Sequence, residues 1–138
     1  MSKHLAGLVL AGALAASSAL AEESLVKPSV LHDEVLTTMP RGAQQQIRVL
    51  TATFKPGQQT PFHTHRFPVA VYVLEGAFTL EMQGHPVMTM KAGESLVEAP
   101  GTPMTGYNRS TGQTRVVIFY VSDPGTPFLD PVDPSKAP

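Results

Sequence analysis

Gly57-Gln-Gln-Thr-Pro-Phe-His63-Thr-His65, continuing through Arg66-Phe-Pro-Val-Ala-Val-Tyr-Val-Leu-Glu-Gly76, is the stretch that decides how the rest of the chain reads. Residues i and i+2 of a strand face the same way, so His63 and His65 can converge on a single ion or ligand. Imidazole is the commonest metal ligand in proteins. Two same-face histidines just after a glycine turn have no ordinary packing motive.

Working outward, Ile47-Arg-Val-Leu-Thr-Ala-Thr-Phe54 is rich in β-branched and aromatic residues, and Lys55-Pro56-Gly57 closes it with turn chemistry. Short strands are expected downstream over 70–74, 77–82, 87–90, 95–98, 105–108 and 115–121. Between them lie Glu75-Gly76, Gln83-Gly84-His85-Pro86, Lys91-Ala-Gly93, Pro100-Gly101 and Ser110-Thr-Gly112, all turn sequences. After the first twenty-odd residues no window carries the i, i+3, i+4, i+7 apolar stripe of a helix. Many short strands with Gly and Pro turns predict an antiparallel sandwich or barrel.

At the N-terminus, Lys3 and His4 precede an apolar run from Leu5 to Ala16, and Ala19-Leu-Ala21 supplies the small residues of an A-x-A cleavage site before Glu22. This pattern is that of a secretory signal peptide, and the apolar run is shorter than the roughly 20 residues a bilayer span needs. Cleavage after Ala21 is expected, with a periplasmic or secreted destination. The sequence has no cysteine, hence no disulfide and no lipid attachment point at the cleavage site, so no membrane anchor is expected. A formal net charge of −1 provides no electrostatic case for nucleic acid or an anionic membrane surface. Charged residues make up only 15% of the chain, which fits a core-rich domain binding a small molecule.

The stretch 57–76 resembles the first motif of the cupin superfamily, which runs Gly, five residues, His, one residue, His, three or four residues, Glu, six residues, Gly. Gly57, His63, His65 and Gly76 fall in register, and Gly93, Gly101 and Asn108 echo the second motif. The resemblance covers residues 57–108 and implies an all-β fold, the cupin jelly-roll β-barrel, with a homodimer as its expected assembly. The expected organisation is a signal peptide (1–21), an N-terminal arm (22–46) in which Pro28 and Pro40 bracket a candidate short strand around Val30–Leu36, the cupin barrel (47–122) and a Pro-rich C-terminal tail (123–138). With Pro124, Pro127, Pro131, Pro134 and Pro138, that tail is expected to hold no sheet ladder and to drape or be disordered.

The departures from the motifs bear on the metal. Val69 stands where the family has its glutamate, Met104 where it has its last histidine, and Ala99 where it has a proline, with Pro100 next. In the register the resemblance implies, His63, His65 and Met104 form a two-imidazole, one-thioether set. A thioether is a soft donor that suits copper, so copper is the favoured metal, with Zn, Fe or Mn as alternatives. Methionine also serves as a flexible apolar filler, and that reading of Met104 competes with the ligand one. Glu98 interrupts an apolar run and either replaces the missing glutamate from within or sits on the solvated face of its strand.

Tyr72 and Tyr107 are candidates for the substrate pocket, each able to offer a hydroxyl at a barrel mouth. Arg109 is a weaker candidate for an anionic group, His32 lies in the arm, His85 belongs to a hairpin tip and Glu75 to a surface turn. No Rossmann or Walker loop, H-E-x-x-H, G-x-S-x-G or cysteine nucleophile is present. The expected function is metal-dependent chemistry on a small molecule, of an oxidoreductase or oxygenase type. A non-enzymatic module that binds a metal or metabolite is the alternative.

Overall fold

The computed structural model describes residues 25–136. The expected signal peptide, residues 1–21, lies outside them. The chain divides into two units, Met1–Val30 and Leu31–Pro138. In the first, residues 25–30 are exposed and without regular secondary structure.

Among the described residues of the second unit nine strands follow in order: β1 (Gln46–Phe54), β2 (His63–Thr64), β3 (Val69–Glu75), β4 (Ala77–Met82), β5 (Met88–Lys91), β6 (Ser95–Glu98), β7 (Met104–Tyr107), β8 (Thr114–Ser122) and β9 (Asp130–Pro131). One 3₁₀ turn, Pro134–Lys136, ends the described chain. β1, β8, β3 and β6 form a four-stranded sheet in that order, and β5, β4, β7, β2 and β9 a five-stranded one. Every pairing is antiparallel. This is the expected all-β jelly roll.

Alternation places the core between the sheets. In β3, Val69, Val71 and Val73 are buried while Ala70 and Tyr72 are only half-buried; in β8, Val116 and Tyr120 are buried while Arg115 and Phe119 are exposed. From the other sheet, Phe78, Leu80, Met82 and Met104 join the same apolar cluster. The β3–β4 corner needs glycine at residue 76 on two counts. Its φ is 75°, and a Cβ there would strike the Gln113 carbonyl oxygen.

Two expectations are corrected. The arm segment Val30–Leu36, read as a short strand, is irregular. The tail does hold a ladder: β9 pairs with β2, matching Thr64 with Asp130 and His63 with Pro131. Proline is tolerated there because β9 is the sheet's edge, and the next free amide, Val132 N, donates to Phe62 O at 2.9 Å.

Candidate metal centre

β2 is short, yet it aims both imidazoles inward. His63 and His65 are 3% and 1% exposed, and their Nε2 atoms lie 3.0 Å apart. Each ring is held from behind. His63 Nδ1 donates to the Pro61 carbonyl at 2.7 Å, and His65 Nδ1 to the Phe128 carbonyl at 2.5 Å. A carbonyl oxygen can only accept, so both protons reside on Nδ1 and both Nε2 lone pairs face the barrel interior.

Glu98 is the third member. It ends β6, is 5% exposed, and brings Oε2 to 3.0 Å from His65 Nε2. The three ligand atoms lie within 4.8 Å of one another. Of the two readings of Glu98, the inward one holds. The register supplies the reason: Glu98 stands directly opposite Val69, the position at which the first motif has its glutamate. Directly paired residues project from the same face of a sheet, their Cβ atoms about 5 Å apart. Glu98 thus presents a carboxylate from across the ladder, opposite the position where the motif has its own.

Met104 is paired with His63 and fully buried, so it projects from the same sheet face; it joins the apolar cluster there and is not among the residues lining the cavity. Tyr72 and Tyr107 do not line that cavity either. Tyr72 has the parity of outward-facing Ala70, and Tyr107 carries Arg109 stacked 4.2 Å above its ring. Arg109 is itself paired with Glu81, whose carboxyl it holds below the usual range. His32 bonds to Glu34, and His85 is exposed in a turn.

Three acceptors, two lone pairs and a carboxylate, meet here. Such an arrangement suits a cation between them. A single proton serves one pair or is shared unequally, whereas a metal ion satisfies all three. Burial also lowers the His63 pKa, outweighing the Pro61 hydrogen bond and the Glu98 charge that raise it, and the adjacent His65 lowers it further. That shift favours the neutral ring, whose Nε2 offers a lone pair. The donor set fits a transition metal and resembles the two-histidine, one-carboxylate type.

The cavity over this face has a volume of about 100 Å³, and Thr60, Phe78, Gly106, Phe128 and Leu129 are among its walls. Phe128 and Leu129 come from the Pro-rich tail. Arg66 anchors that tail by a two-pronged bond to Asp130, at 2.8 and 3.0 Å. The Arg66 guanidinium holds the Asp130 carboxyl below its usual pKa. No local sequence signal marks Phe128, because its role rests on a contact with a residue 63 positions away.

The chain's residues 50–120 match the family model described as "Cupin domain". No curated protein matches the chain. Among solved structures it is similar to the DMSP lyase DddQ from Ruegeria pomeroyi DSS-3, at 19% identity and a TM-score of 0.58, covering 66% of this chain and 45% of that one. It is also similar to an RmlC-like cupin from Shewanella frigidimarina NCIMB 400, at 19% identity and a TM-score of 0.50, covering 57% and 68%. A further DMSP lyase structure aligns at 15% identity and a TM-score of 0.55, covering 63% and 44%. The chain thus spans about half the length of the lyase structures it matches, and at these identities the likeness concerns the fold.

Proposed function

This chain belongs to the cupin family, and from that premise we propose that it is an exported metalloprotein that carries out metal-dependent chemistry on a small molecule bound beside His63, His65 and Glu98. The observation that carries this reading is the convergence of three buried acceptors, with both imidazoles locked in the Nδ1–H tautomer by backbone carbonyls. A bound ion would act as a Lewis acid or redox centre in this cup. The chain's own residues do the rest. Pro61 and Phe128 orient the rings, Glu98 supplies a negative charge, and the apolar walls exclude water.

A carboxylate as third donor favours a hard or borderline ion such as Fe²⁺, Mn²⁺ or Zn²⁺ over copper. The copper reading depended on Met104 as a donor, and Met104 packs in the apolar core. The non-enzymatic reading has support of its own. Among the described residues, Thr60 is the only hydrogen-bonding side chain on the cavity wall besides the three metal-facing groups. The lyase activity of the structural neighbours is not carried over, since their likeness is one of fold.

Elemental analysis of the purified protein tests the proposal. Stoichiometric metal in the wild type and an empty His63→Ala/His65→Ala variant are expected, and full occupancy in the variant would refute the site. Export is tested by the mass of the mature chain, which should begin at Glu22. Ile47, Val49 and Phe119, exposed on the outer face of the four-stranded sheet, support a homodimer, whose mass light scattering reads directly.

A further inference from the structure

We infer that the cavity takes a small amphipathic molecule with one oxygen-donor head, carrying at most a single negative charge and directed at the metal, and an uncharged hydrocarbon body. This inference rests on the metal reading above and narrows it to a ligand class.

Charge balance sets the head. A divalent ion among two neutral imidazoles and the Glu98 carboxylate retains one positive charge, which a single anionic oxygen neutralises. The walls set the body. Phe54, Val71, Val116, Ile118, Phe128 and Leu129 face the space with hydrocarbon, and the polar groups are the three ligands and Thr60. Thr60 Oγ1 already accepts from Gly106 N at 2.9 Å and keeps one proton to donate.

Among the described residues no lysine or arginine lines the cavity. The inward guanidinium of Arg48 is committed elsewhere, bonding to Ser122 Oγ and Thr126 O and lying over the Tyr120 ring. A second charge on the ligand, or a chain of hydroxyls, would therefore be buried against hydrocarbon without partners, which is costly.

Size narrows the class further. At about 100 Å³ the cavity is smaller than an engineered one of about 150 Å³ that holds benzene. Gly106 and Phe78 close one wall, for a Cβ at residue 106 would come within 2.5 Å of the Phe78 ring. The hydrocarbon body is thus limited to a few carbons.

The test uses the full chain loaded with Co²⁺, its metal content measured on the same samples, and titrations followed by the cobalt visible absorption. Butyrate, succinate and 4-aminobutyrate share a four-carbon chain and differ at the far end as methyl, carboxylate and ammonium. Butyrate should perturb the spectrum saturably, and the other two should bind at least about tenfold more weakly. Ala52 lines the cavity from β1, an edge strand, so Ala52→Leu should keep its cobalt and lose butyrate affinity by a similar factor. Equal binding of succinate or 4-aminobutyrate, or undiminished butyrate binding in A52L, overturns the ligand class while leaving the metal reading intact. A wild-type chain that holds no cobalt overturns both.

Discussion

At residue 98 a carboxylate is buried in an apolar strand, and its position opposite Val69 explains how that is tolerated. An unpaired buried carboxylate is expensive, but here it faces a histidine and a metal-binding geometry. Returning the charge across the ladder should therefore preserve the site. Glu98→Val alone should weaken metal binding by more than the roughly 10–100-fold that loss of an outer-shell partner costs. Val69→Glu/Glu98→Val should recover much of that affinity, as read by competition with a chelator; no recovery would mean that residue 69 cannot reach the site. Met104 makes the opposite case. As core filler, Met104→Leu should cost less than about 1.5 kcal/mol of stability and leave metal stoichiometry unchanged. Loss of the metal in M104L would restore the thioether as a ligand.

Among the elements, the two-residue β9 has an importance out of proportion to its length. It holds the tail against β2, so that the Phe128 carbonyl can fix the His65 tautomer and the Phe128 ring can sit 4.8 Å from that imidazole. The Arg66–Asp130 pair that secures it is exposed and adds little to global stability. Its effect should instead appear in metal affinity. Asp130→Asn removes the charge and is expected to lower affinity by up to roughly tenfold with little change in melting temperature. Arg66→Lys, which keeps the charge but not the two-pronged geometry, should fall between that variant and wild type. Unchanged affinity in D130N would show that the ladder and Val132 suffice to hold the strap.

On the scale of the whole molecule, the site couples metal, protons and folding. A ligand bound only by the folded chain stabilises it by about 2.7 kcal/mol at a concentration 100 times its dissociation constant, so the cognate metal should raise the melting temperature. Because burial holds the folded-state pKa of His63 below its ordinary 6.5, the unfolded chain takes up that proton first as pH falls. Stability then increases with pH across that window and is lost below it. The metal-free protein should accordingly melt lower at about pH 5.5 than at about pH 7.5, and His63→Gln should reduce the difference. An equal drop in both proteins would assign the effect to other groups.

Much of this architecture was legible in the primary structure, and the limits follow from the range of the interactions. Period-two alternation and Gly or Pro punctuation are local, so strands such as Ala77–Met82 and Ser95–Glu98 could be bounded to the residue. The shared direction of His63 and His65 is likewise a property of three consecutive residues. Val30–Leu36 was misread because its apolar residues suit a strand but find no ladder.

What the amino-acid order determined by itself is therefore the all-β barrel and the histidine pair, since both follow from local geometry. Only the tertiary structure brought Glu98 beside the two imidazoles, set Met104 opposite His63 within the apolar cluster, and laid two residues of the proline-rich tail along the cavity. Those outcomes depend on which strands become neighbours and in what register, and that is settled by contacts between residues far apart in the chain.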